Sequence, residues 1–146
     1  MLKEMLLTIA VSAALVGEPL EVTVVETGLN ADEIDILAQL TMAEAESESE
    51  LGQRLVIDTV LNRMESDDFP DDLQGVIHQK GAFSCIKNGR YDRCKPTECV
   101  KELVREEIVS RSNSEVLYFN ARGYTYGDPI CKEGRHYFSG KDNKNE

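Results

Sequence analysis

The sequence predicts an α+β domain, with helices first and a small antiparallel sheet near the C-terminus. Two observations carry this. Apolar residues recur at helical spacing through 31–64 and again after residue 97, and short strand-like runs appear only after Asn113. Helices and strands do not alternate, so βαβ units and a parallel sheet are not expected.

Taken in order, Met5–Val16 is an apolar run without a charge, preceded by Lys3, with small residues at Ser12, Ala13, Ala14 and Gly17. Residues 1–17 therefore read as a signal peptide, too short for a confident membrane span, and export is expected. Residues 18–30 read as a linker or extended segment. The organised domain spans 31–140, and 141–146 form a polar tail.

Asn30 followed by Glu33 can cap a helix at both ends of its first turn, and Ile34, Leu37, Ala38, Thr41 and Ala45 continue at helical spacing. Ser47 with Glu50 offers a second start, followed by Leu51, Leu55, Val56, Val60, Leu61 and Met64. Pro70 ends that helix. A short helical turn is expected around Leu73–Ile77 and a loop at Asn88-Gly89. A third long helix is capped by Thr97 or a neighbour and carries Val100, Leu103, Val104 and Ile108. Val116–Phe119 and His136–Phe138 read as strands, with Gly123, Gly127 and Pro129 between them.

A chain of 146 residues with 41% hydrophobic residues suits one packed domain. Its net charge of -11, from 27 acids against 16 bases, excludes nucleic acid as an expected partner, because a phosphate backbone calls for a basic face. Any contact with an anionic polymer must come from a specific groove. Cys85, Cys94, Cys99 and Cys131 read as two disulfides in an exported protein, with three pairings open. A zinc site drawing on His78 or His136 is disfavoured, since no close C-x2-C pair exists. No metal or other cofactor is expected.

The candidate chemistry lies in the first helix. Leu37, Thr41 and Glu44 share a face with Ile34, so Glu44 ends an apolar stripe. Desolvation there disfavours the ionised carboxylate and suits a proton donor. A solvated acidic junction would show the same alternation of Glu44, Glu46, Glu48 and Glu50, so spacing alone leaves both readings open.

A wider set of residues separates them. Met42-Ala43-Glu44-Ala45, Glu48, Gly52-Gln53 and Val60-Leu61-Asn62-Arg63 are followed by Phe69-Pro70, Val76-Ile77 and Gly81-Ala82-Phe83-Ser84. Then come Pro96-Thr97-Glu98, Leu117-Tyr118-Phe119-Asn120 and Gly134-Arg135-His136-Tyr137-Phe138. In this order, over about 34–138, the blocks resemble the spore cortex-lytic enzyme family of cell wall hydrolases. The resemblance implies a lysozyme-like, lytic transglycosylase-like fold for 31–140 and peptidoglycan as partner. It also implies cleavage between N-acetylmuramic acid and N-acetylglucosamine, with Glu44 as acid and then base and 1,6-anhydro products.

Glu48, Phe83, Ser84, Tyr118 and Asn120 are the implied substrate-binding candidates, with Glu48 equally suited to bracing the helix junction. Asn62 and Arg63 are expected to tie backbone together, and His136 to be a core histidine. The chain departs from the family pattern at Met42, often His, and at Ser47 and Ser49, where Gly and Pro are usual. The alternatives are a simple muramidase, a peptide-stem amidase and an inactive secreted wall-binding module. With no wall-binding repeat attached, targeting falls to the domain itself or to an accessory protein.

Overall fold

Asn30 opens the first helix as the sequence predicts. Its side chain accepts from the Glu33 amide while the Glu33 carboxylate accepts from the Asn30 amide, both at 2.9 Å. A computed structural model describes residues 28–144. The expected signal peptide and nearly all of the expected linker lie outside the described residues.

Helix α1 (Ala31–Ala45) leads by a tight turn to α2 (Glu50–Glu65). The α2 cap is Ser49 rather than Ser47: Ser49 Oγ accepts from the Gly52 amide at 3.1 Å. Ser47 falls within the turn that follows α1, in which the Glu48 amide bonds the Ala45 carbonyl, and its hydroxyl accepts from Arg135. Leu51, counted in the apolar series, is instead exposed. Short helices α3 (Leu73–His78), α4 (Ser84–Lys87) and α5 (Arg90–Arg93) follow. Gly89, at φ 74°, separates α4 from α5 where a loop is expected. Thr97 caps α6 (Glu98–Val109) by accepting from Val100 N at 3.2 Å.

The chain closes with β1 (Tyr118–Asn120), β2 (Pro129–Glu133) and β3 (His136–Ser139), an antiparallel sheet of order β1-β3-β2. Sequence periodicity misses β2. It begins at Pro129, and its register is irregular between Pro129 and Cys131, so it lacks clean alternation. A proline is tolerated at the start of an edge strand, where a ladder donor can be spared.

Helices α1, α2 and α6 pack on one another around Leu37, Leu40, Ile57, Val60, Leu61 and Val104. A second cluster joins Ala45, Leu55, Val56, Val116 and Phe138 under the sheet, and Phe119 packs against both. Burial of Phe138, fully inaccessible, contributes roughly 2–3 kcal/mol. Polar groups of α2 fix the chain leading into β1. Asn62 Nδ2 donates to the Asn113 and Val116 carbonyls, both at 2.9 Å, and Arg63 Nε donates to the Leu117 carbonyl at 2.7 Å. Asn62 and Arg63 thus tie backbone together, as expected. Among the described residues, no helix is long and apolar enough to cross a membrane.

Candidate active site

The acidic run that joins α1 to α2 resolves into four different environments. Glu46 pairs with Arg90 at 3.3 Å, Glu48 with Arg135 at 2.7 Å and Glu50 with Arg54 at 2.7 Å. Among the described residues, Glu44 alone of the four has no ion pair. It is half-buried, and its Oε1 is withdrawn from solvent without a hydrogen-bond partner. Leu37 and Thr41, on the same face of α1, are fully buried. The Thr41 hydroxyl is turned back onto the Leu37 carbonyl at 2.8 Å, so it does not occupy the acid. Glu44 therefore ends the apolar stripe as the helical spacing predicts.

Two buried side chains interact electrostatically with this carboxyl. Cys85, at the start of α4, is 2% exposed; burial first, and then the adjacent Glu44 carboxyl, push its thiol up. His136 opens β3 and is 7% exposed, with Nδ1 lacking a partner. Burial holds it below the ordinary imidazole value, opposed by the neighbouring Glu48 and Glu44 carboxylates. Its ring lies 5.0 Å from that of Phe119, as expected of a core histidine, and it also feels the Glu44 charge. Sequence reasoning gave His136 and Arg135 no role at this site, although both fall within one of the family-like blocks.

Glu48 is a brace. Its side chain is only 4% exposed, and its two oxygens accept from Arg135 Nε at 2.7 Å and from the Arg135 amide at 3.1 Å. The Arg135 guanidinium holds the carboxyl below the usual carboxylate range, despite its burial. The bond pins the β2–β3 turn to the α1–α2 junction and leaves neither oxygen free of a protein donor. Gly134 makes that approach possible. It sits at φ 55°, and a Cβ there would fall 1.8 Å from Glu48 Oε2. Gly134→Ala is expected to lower stability by about 2 kcal/mol, from left-handed strain plus a displaced brace. Thermal melting checks this, and an unchanged Tm would mean that Glu48 moves aside at no cost.

The other candidates separate. Phe83 is 5% exposed, beside Phe119 and under the Arg63 guanidinium, so most of its ring is unavailable to a sugar. Arg63 also lies 5.0 Å from the centre of the Phe69 ring and 5.5 Å from that of Tyr118. Ser84 is exposed at the first position of α4, while Tyr118 and Asn120 are half-buried. On antiparallel strands, directly paired residues share a face. Tyr118 and Asn120 therefore lie on the sheet face opposite Phe119 and Phe138, and the structure does not gather all the candidates around Glu44. A cavity of 520 Å³ beside Asn62, Leu117, Ile130 and Lys141 does not include Glu44 in its lining.

All four cysteines are free thiols, which corrects the expectation of two disulfides. Cys85 and Cys94 belong to the helical cluster, Cys131 belongs to the sheet cluster, and Cys99 is exposed on α6. A bridge would need two of these sulfurs in bonding geometry, and none is bonded to another.

Comparison with known proteins agrees with this architecture. Residues 47–139 match the Cell Wall Hydrolase family, a span that begins just past Glu44. The chain is similar to the spore cortex-lytic enzyme of Halalkalibacterium halodurans, 31% identical over 80% of this chain and 37% of that protein. The spore cortex-lytic enzyme of Bacillus subtilis is 33% identical over 76% and 38% respectively. The chain thus spans less than half the length of the curated relatives it matches. Its fold superposes on the catalytic domain of the Bacillus cereus SleB protein with a TM-score of 0.68 at 30% identity, covering 79% of this chain and 94% of that one. The catalytic domain of the germination-specific lytic transglycosylase SleB from Bacillus anthracis gives 0.66 at 28% identity, covering 79% and 99%. The chain belongs to the cell wall hydrolase family.

Proposed function

We propose that this chain cleaves the glycan strand of peptidoglycan between N-acetylmuramic acid and N-acetylglucosamine, as a lytic transglycosylase with Glu44 as its catalytic acid. The observation that carries the reading is the isolation of Glu44. Its three alternating acidic neighbours are neutralised by arginines, whereas one Glu44 oxygen is buried with no donor. A carboxyl so placed is held by no ion pair, and its neighbour, the Cys85 thiol, is only a weak donor, so it is available for proton transfer.

In this reaction Glu44 gives its proton to the glycosidic oxygen as the bond from that oxygen to the muramyl anomeric carbon breaks. The muramyl 6-hydroxyl bonds to that carbon, and the Glu44 carboxylate takes the hydroxyl proton. The products are a free sugar end and a 1,6-anhydro ring, and the acid is restored. No carboxylate nucleophile is needed, unlike the usual two-carboxylate glycosidase. This suits a site where Glu48 is bound to Arg135. Ser84, Tyr118 and Asn120 keep surface to offer a sugar, whereas Phe83 and Glu48 act as supports.

The relatives named as spore cortex-lytic enzymes support spore cortex peptidoglycan as the substrate and an extracytoplasmic site of action. Mass spectrometry of digested, purified peptidoglycan tests the chemistry. Anhydro-muropeptides are expected. Reducing muramyl ends would make the enzyme a simple muramidase, and freed amines without new sugar ends would make it an amidase.

A further inference from the structure

The outer face of the sheet carries more aromatic surface than the candidate site uses. Cross-strand pairing sets Asn120, Tyr137 and Lys132 in one row across β1, β3 and β2, on the face that also holds Tyr118. The segment between β1 and β2 lays two further tyrosines onto this face. Tyr124 meets Tyr137 edge-on at 5.2 Å, and Tyr126 lies 5.8 Å from Tyr118. Four of the five tyrosines in a chain without tryptophan are therefore gathered here as two pairs.

The segment is tethered to the end of β3 at Tyr126 and Asp128. The Ser139 hydroxyl donates to the Tyr126 carbonyl, and the Gly140 amide bonds the Asp128 carbonyl at 2.9 Å. Gly127, at φ 65°, passes so close to Gly140 that a Cβ would fall 1.7 Å from its carbonyl oxygen. Even so, Tyr124 and Tyr126 remain 43% and 63% exposed. Exposed aromatic rings gathered into one patch mark a binding surface rather than a core.

The geometry points to this face as a docking surface for the glycan strand, on which sugar rings stack against Tyr124 and Tyr126. This rests on the reading of the chain as a peptidoglycan-cleaving enzyme. Three features select a glycan as occupant. Tyrosine offers an apolar ring for the C–H face of a sugar together with a hydroxyl for its rim. Asn120, flanking Tyr137, supplies an amide suited to hydroxyl and N-acetyl groups. Exposed Lys132, 5.1 Å from the centre of the Tyr137 ring, gives the row a cation and no carboxylate in a chain of net charge -11. That charge complements the carboxylates on the peptide stems of the wall polymer. The surface is continuous with Tyr118 and Asn120, which are already candidates for sugar contact.

The test is co-sedimentation with insoluble, purified peptidoglycan, carried out on the full chain in a Glu44→Gln background so that binding is read without cleavage. Adding Tyr124→Ser and Tyr126→Ser should weaken binding about tenfold. Adding Val109→Ser, which removes an exposed apolar side chain from α6, should leave it unchanged. A soluble N-acetylglucosamine tetramer should displace the tyrosine-intact protein. Unchanged binding by the tyrosine variant, equal loss with Val109→Ser, or no displacement by excess tetramer would each overturn the assignment. Circular dichroism confirms that the variants fold. If Glu44→Gln still lyses wall, the acid assignment fails; the binding comparison, which needs no bond cleavage, is then made before lysis proceeds and still decides the docking surface.

Discussion

Glu44→Gln is expected to lower the rate of wall lysis about a thousandfold while leaving the fold intact. A positioned general acid contributes typically 10²–10⁴-fold, and the amide cannot donate the required proton to the leaving oxygen. Stability should change little, because Glu44 has no ion pair to lose and glutamine keeps its volume. The matched control is Glu46→Gln. It removes an exposed bond to Arg90, which contributes at most about 1 kcal/mol, and lysis should persist. Turbidity loss of purified peptidoglycan, read beside thermal melting, separates the two effects. Equal lysis by Glu44→Gln and the native chain would refute the assignment, and a large drop in Tm would recast Glu44 as structural.

The contrast between these glutamates explains how much of the site was legible in the sequence. Helical spacing places Glu44 at the end of the stripe through Leu37 and Thr41, because that relation is local to one helix. It cannot show that Glu46 meets an arginine 44 residues away or that Glu48 meets one 87 residues away. Those pairings depend on how α5 and the β2–β3 turn return to the α1–α2 junction.

The fold shows the same division. The caps at Asn30 and Thr97 are local signals and hold. Ser47 and Ser49 are both capping residues two positions apart, and the tight turn after α1 decides for Ser49. Strand β2 escapes because Pro129 and the register irregularity blur its alternation. The cysteines mislead for a different reason: their even count constrains chemistry, whereas their scatter over two clusters is a property of the tertiary structure.

A buried acid pair away from the candidate site supplies the second large effect. Asp58 of α2 is fully buried and Glu107 of α6 is 1% exposed, and the two carboxyls interact. Glu107 accepts from Arg54 Nη1 at 2.8 Å and from the Ser112 amide at 2.6 Å, and Asp58 accepts from the Asn113 amide at 2.8 Å. Burial, and then the Glu107 carboxylate, push Asp58 up to about 8, while hydrogen bonds from Asp58, Arg54 and Ser112 hold Glu107 below its ordinary value against its own burial. The pair therefore keeps one proton that an unfolded chain releases near pH 4.

Because the folded state binds that proton more tightly, the Asp58 contribution is complete below pH 4 and is lost as pH rises toward 8. The Glu107 contribution runs the other way, present above its ordinary 4.5 and lost as pH falls below it. Asp58→Asn keeps an acceptor for Asn113 and supplies a permanent N–H toward Glu107, so it should remove the alkaline limb. Between pH 5 and 8 the native chain should lose on the order of 3 kcal/mol that the variant retains. Urea midpoints at several pH values measure this. Parallel curves for the two proteins would mean that Asp58 is already ionised in the folded state, its charge and that of Glu107 balanced by Arg54 and by Arg111, whose guanidinium donates to the Glu107 carbonyl.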